Sequence, residues 1–233
     1  MSTTERGRRL VWRIRDYWYV GVRQAQGLLD RGGAGDYQEP TKPRQPAIVL
    51  LPGVYESWTF LRPLARALWL HGHPVHVLPR MGYNRGPVPA AAALLGDYLS
   101  HEGLDQVVLV AHSKGGLIGK LAMMRHDPGR RIRGMVAVAT PFAGSAYARW
   151  VPLPAVRAFV PTDVTLVELA AERAANARIV SVYPRFDPHI PAGSALGGAA
   201  ANIELDVPGH FRVLADPRLA MTVHDAVHRL EGA

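Results

Sequence analysis

"VVLVAHSKGGLIGK", residues 107–120, is the stretch that decides the fold. A run of Val and Leu leads into Ala-His-Ser-Lys-Gly-Gly, and a second apolar segment follows. The first run reads as a buried strand and the segment after the glycines as a helix, residues 114–127. Their abrupt join puts Ser113 on a strand-to-helix turn, with Ala111 two positions before it and Gly115 two after. A nucleophile on so tight a turn sits in strained backbone, and only Gly or Ala leaves room for the chain on either side. The turn lifts the hydroxyl above the sheet. It also aims the N–H groups of the next helix at the same space, which favours developing negative charge. A helix-capping serine produces a similar join, so the remainder of the chain has to supply the partners.

Outward from this turn, strand and helix signals alternate. "AIVLLPG" (47–53), "HPVHVLPR" (73–80), "RIRGMVAVATP" (131–141), "ARIVSVYPRFD" (177–187) and "ANIELDVPGH" (201–210) read as further strands. "SWTFLRPLARALWLHG" (57–72), "GPVPAAAALLGDYLSHEG" (86–103) and "ADPRLAMTVHDAVHRL" (215–230) read as helices, with Pro near a start or Gly at an end. That alternation predicts an α/β protein: a mostly parallel sheet with helices on both faces. Residues 142–176 interrupt the rhythm without a strand and predict a small helical insertion over one end of the sheet. Residues 1–35 predict a basic amphipathic arm ahead of a domain at 36–233. In the arm, Leu10, Ile14, Trp18, Val22, Ala25 and Leu29 recur at steps of three and four. This stripe either packs on the domain or docks on acidic lipid.

Bulk composition narrows the classes. The chain has 233 residues, 48% hydrophobic and 20% charged, enough for one domain with a substantial core. No cysteine is present, which removes disulfides and thiol chemistry. The formal net charge is +8, yet no basic run or nucleic-acid motif accompanies it, so nucleic acid is not expected as a partner. No apolar stretch reaches the roughly 18 residues of a membrane span. "LVWRIRDYWYVGVRQ" places Arg and Asp where a signal peptide needs an apolar block, and a cytoplasmic location follows as the expectation.

Ala111-His112-Ser113-Lys114-Gly115 resembles the nucleophile elbow of the α/β-hydrolase superfamily, in its lipase and esterase branch. Ala111 stands where Gly is usual, as in some small bacterial lipases. The resemblance spans about residues 47–230 and implies the chain order Ser, then Asp or Glu, then His. Asp187, ending a β-branched run in "VSVYPRFDPHIP", matches the family's acid context, with Asp206 as runner-up. His210, between the last strand and the last helix, is the expected base, with His189 second. His112 is expected to pack locally. His224 and His228, four apart on the last helix, have metal-ligand spacing, but a solvated helix face is the reading adopted, and no metal or organic cofactor is expected. The resemblance assigns the oxyanion hole to the backbone N–H groups of Lys114 and Val54, with Tyr55 the alternative to Val54. For the Lys114 side chain, solvation is expected; holding an anionic group of the substrate is the alternative.

The implied chemistry is acyl transfer to water. Ser113 attacks an ester carbonyl, His210 takes its proton, and Asp187 orients the imidazole. Tyr55, Trp150, Leu153 and Phe159 are candidate substrate contacts, and the apolar insertion suggests an acyl pocket or lid for medium or long chains. The expected partner is a small acyl ester, with membrane contact through the arm as a further expectation. Thioesterase or acyltransferase chemistry, or a non-catalytic binding role, are the rival readings.

Overall fold

The structure, a computed structural model, describes residues 3–29, 33, 35–40 and 45–232. Six strands, β1 (Ile48–Leu51), β2 (Val75–Val77), β3 (Val107–His112), β4 (Ile132–Val138), β5 (Ile179–Phe186) and β6 (Ala201–Pro208), form one sheet in the order β2-β1-β3-β4-β5-β6. Every neighbouring pair is parallel. All six therefore end at one edge, where the loops that follow them meet. Among the described residues no helix is long and apolar enough to cross a membrane.

The unbroken apolar runs follow from burial on both faces. Side chains alternate along each strand, so Val49, Leu51, Leu109, Ala111, Met135 and Ala137 face α3 (Val88–His101) and α4 (Lys114–Arg125). Their neighbours Ile48, Leu50, Val108, Val110, Val136 and Val138 face α2 (Arg62–Leu70) and α7 (Pro217–Glu231). Pro at the start of α2, α3 and α7 and the left-handed Gly72 (φ 97°) after α2 set the helix limits. Residues 142–176 carry short 3-10 turns, α5 (Pro154–Arg157) and α6 (Val164–Ala171), the last capped by Asp163.

The N-terminal helix α1 (Thr3–Leu29) packs with the opposite face from the stripe picked out in the sequence. Trp12 sits 5.3 Å from Phe186, Asp16 is fully buried, Tyr19 packs on Phe60, and Arg23 donates to the Thr59 carbonyl. Leu10, Ile14 and Trp18 are 59%, 60% and 75% exposed. The two stripes are offset by two residues, about 200° around a helix. The packed face escaped notice because its members include Asp, Arg and Gln, which dock by hydrogen bonding to backbone. Packing of the apolar stripe on the domain is thus corrected; the Leu29 side chain lies outside the described residues.

Leu109 is fully buried at the centre of the sheet. Leu109→Ala is expected to lower the unfolding free energy by about 2–5 kcal/mol. Urea denaturation reads this as a lower midpoint at unchanged slope.

Candidate active site

β3 ends at His112, and Ser113 turns the chain into α4 with φ 50° and ψ −116°. A side chain rarely adopts this conformation, at a cost of about 1–3 kcal/mol. The glycines after it are a steric requirement: a Cβ on Gly115 would overlap the Leu51 carbonyl oxygen, and one on Gly116 the Thr140 side chain. Ala111 is buried between its neighbours in β1 and β4, paired in register with Leu51 and Ala137.

The other two groups arrive from neighbouring strand ends. Asp187 follows β5 and His210 follows β6. The Ser113 Oγ lies 3.0 Å from His210 Nε2, and His210 Nδ1 lies 2.7 Å from Asp187 Oδ2. The second Asp187 oxygen accepts the backbone N–H groups of His189 and Ile190, at 2.8 and 3.0 Å. Burial opposes the Asp187 charge, but the facing imidazole and these hydrogen bonds hold its carboxyl below the usual range. Burial likewise opposes a charged His210, and the Asp187 carboxylate outweighs it, with smaller help from Asp16 and Glu56, so the imidazole is raised above its usual range. Asp206 instead pairs with Arg185 at the surface. His189 lies beside His210, ring centroids 5.2 Å apart; burial and then His210 pull it down to about 4.

Two buried carboxylates that the sequence reading passed over hold this arrangement. Asp16, on α1, accepts the backbone N–H groups of His210, Phe211 and Arg212 at 3.1, 2.9 and 2.9 Å. Gly209, at φ 118°, admits it: a Cβ there would come within 2.6 Å of Asp16 Oδ1. Glu56 accepts the Gly53 N–H at 2.7 Å and faces His112 Nδ1 at 2.9 Å, while His112 Nε2 lies 3.2 Å from the His210 carbonyl oxygen. His112 points away from the Ser113 hydroxyl, yet it ties the loop after β1 to the loop after β6. A charged residue at a loop or helix position gives no sequence signal of which distant backbone it will cap.

A cavity of about 160 Å³ opens over Ser113 and His210, lined by Val54, Val151, Val156, Phe159 and Phe211 among others. Phe159, a candidate substrate contact, is among the lining residues. Tyr55 does not line the cavity; the Arg85 guanidinium stands over its ring and its carbonyl accepts from Gln24. Trp150 and Leu153 project outward, 78% and 43% exposed. From the 3-10 turn at 146–150 and the residue after it, Tyr147, Ala148 and Val151 reach the cavity and Trp150 does not. The Lys114 side chain is neither solvated nor near the cavity. It is fully buried, donates to the Asn84 and Gly86 carbonyls, and is pulled down to about 8 by burial.

A left-handed serine after a central parallel strand, with His and Asp from later strand ends in hydrogen-bond contact, defines a hydrolase of the α/β class with a site consistent with a catalytic triad. The chain belongs to the family described as alpha/beta hydrolase fold, whose model matches residues 46–171. Among solved structures, a Bacillus licheniformis lipase in mature form is similar at TM-score 0.64 and 16% identity, over 82% of this chain and 96% of that one. A Paleococcus ferrophilus monoacylglycerol lipase gives 0.59 and 16%, over 82% and 96%. A carboxylesterase of Nitrososphaera gargenis gives 0.56 and 15%, over 84% and 93%. No curated protein matches the sequence.

Asp16→Asn removes an anion that favours the imidazolium and turns an amide N–H₂ toward a backbone donor. The His210 pKa is therefore expected to fall, and stability to drop by about 1–3 kcal/mol. Histidine ring shifts followed by NMR titration check the first, and an unchanged His210 titration refutes it.

Proposed function

We propose that this chain is a serine esterase acting on lipid-like carboxylic esters through Ser113, His210 and Asp187. The observation that carries the reading is the unbroken contact of hydroxyl, imidazole and carboxylate at the floor of an apolar cavity. His210 Nε2 takes the Ser113 proton as Oγ attacks the carbonyl, and Asp187 stabilises the imidazolium formed. The backbone N–H groups of Val54 and Lys114 receive the oxyanion, each donor contributing about 10²–10³ in rate. His210 then protonates the leaving alcohol, and water repeats the sequence on the acyl-enzyme. The small volume over Ser113 favours short acyl groups over the long chains suggested by the insertion's composition.

The arm supports a further part of this reading, that the enzyme is a cytoplasmic protein working at an anionic lipid surface. Leu10, Ile14 and Trp18 are exposed and interleaved with exposed Arg8, Arg13 and Arg15. Arg9 and Arg13 share a surface depression with Tyr147, which places one exposed aromatic residue of the insertion beside the helix. This combination of apolar and basic side chains suits an interfacial helix.

A fluorophosphonate probe is expected to label the wild-type chain and not Ser113→Ala, with ester turnover falling by several orders of magnitude in the variant. Butyryl esters should outpace palmitoyl esters; a faster reaction with the matching thioesters moves the assignment to a thioesterase. Turnover retained in Ser113→Ala overturns the reading.

Cosedimentation with phosphatidylglycerol vesicles should be lost in the Leu10→Ser, Ile14→Ser, Trp18→Ser variant while soluble butyryl esters are still hydrolysed. Equal sedimentation of both proteins removes the lipid surface. Deleting the helix is not a clean test, because it also removes Asp16.

A further inference from the structure

At the far edge of the sheet from Ser113, three histidines from two separate parts of the chain converge. His73 precedes β2, and His224 and His228 lie one turn apart on α7. One ring nitrogen from each lies within 4.8 Å of the others. The His73 ring is fully buried, and its Nε2 is 2.9 Å from His224 Nδ1. Two ligands about 2.1 Å from one metal stand about 3.4 Å apart at a tetrahedral angle. The His73–His224 pair, joined by one N–H···N hydrogen bond at 2.9 Å, needs to part by about 0.5 Å to reach that spacing. His228 is at the exposed side, where a small ring movement completes the set.

The outer nitrogens are what separate this cluster from a chance grouping of rings. His73 Nδ1 lies 2.9 Å from the Pro46 carbonyl oxygen. A carbonyl only accepts, so Nδ1 carries the proton and Nε2 presents its lone pair inward. His228 Nδ1 lies 2.7 Å from Glu231 Oε2, which leaves Nε2 for the cluster. Metal-bound histidines are oriented by such carbonyl and carboxylate partners on the other nitrogen. His71 stacks on His224 at 4.9 Å and closes a further side.

We propose that His73, His224 and His228 form a binding site for one borderline divalent cation of the zinc class, with open positions left for water. Three neutral imidazoles without a thiolate or a carboxylate in the inner set suit Zn²⁺, Ni²⁺ or Cu²⁺ and not Mg²⁺ or Ca²⁺. The ion would join the last helix to the turn between α2 and β2, two segments otherwise held by the His73–His224 hydrogen bond and side-chain packing. The site is independent of the ester chemistry, since its residues lie before a strand start and on the back of α7.

The test uses the untagged full chain, stripped with a chelator and titrated with zinc chloride by calorimetry. One Zn²⁺ per chain is expected, together with a higher melting temperature in the presence of zinc. Binding should persist in His210→Ala and vanish in the His224→Ala, His228→Ala variant. Glu231→Gln should weaken affinity about tenfold, the usual consequence of losing an outer partner. If the double variant does not fold, His228→Ala alone, at an exposed ring, gives the same reading. Absence of saturable one-to-one binding in the wild type overturns the proposal. So does binding that survives His224→Ala, His228→Ala and disappears in His210→Ala, which would place the ion at the histidines near Ser113.

Discussion

The left-handed backbone of Ser113 is the constraint on which the remaining architecture rests. A strained residue persists only where its surroundings over-determine it. Here the Ser113 N–H donates to the Val138 carbonyl at 2.9 Å, and the Gly116 N–H returns to the Ser113 carbonyl at 3.1 Å. β3 lies between β1 and β4, so neither side of the turn is free to relax. The same crowding demands Gly115 and Gly116. The candidate nucleophile is thus seated at the centre of the sheet, and the loops after β5 and β6 bring the carboxylate and imidazole to it.

Those loops are anchored by buried carboxylates as well as by apolar packing. Asp16, Glu56 and Asp187 are carboxylates buried around His210, and a buried anion is costly unless it is paired and hydrogen-bonded. Each has found backbone N–H groups, and Asp187 and Glu56 also face imidazoles. Together they create a field that favours a positive His210, the form it would take in the proposed proton transfer from Ser113. The same field raises the resting pKa, so less of the neutral base is present at low pH.

The parallel sheet, the elbow and the order of Ser113, Asp187 and His210 were legible because they depend on local signals. Periodicity marks strands and helices, a cluster of small residues marks the tight turn, and parallel strands send all their following loops to one edge. What stayed hidden was set by distant pairing. Asp16 and Glu56 look like ordinary surface acids until α1 and the loop after β1 are placed. Trp150 and Phe159 look alike as apolar residues of the insertion, and only its folded path, a 3-10 turn at 146–150 and then α5, leaves the one outside and turns the other inside. The histidines at 224 and 228 carried a spacing signal, but His73 lies about 150 positions away and adds its ring only through the fold.

The helix α1 shows why apolar periodicity misleads when a helix serves a polar task. Its buried face holds Asp16, Arg23 and Gln24 because it docks on loop backbone, whose N–H and C=O groups need partners that Leu or Val cannot provide. Its outward face holds Leu10, Ile14 and Trp18, which gain nothing from water. Apolar residues placed outward on a helix whose inner face is satisfied leave a surface suited to an apolar neighbour, and the interleaved arginines favour one that is also anionic. Under the proposed lipid contact, the helix that steadies the His210 loop through Asp16 would also be the one that meets the surface.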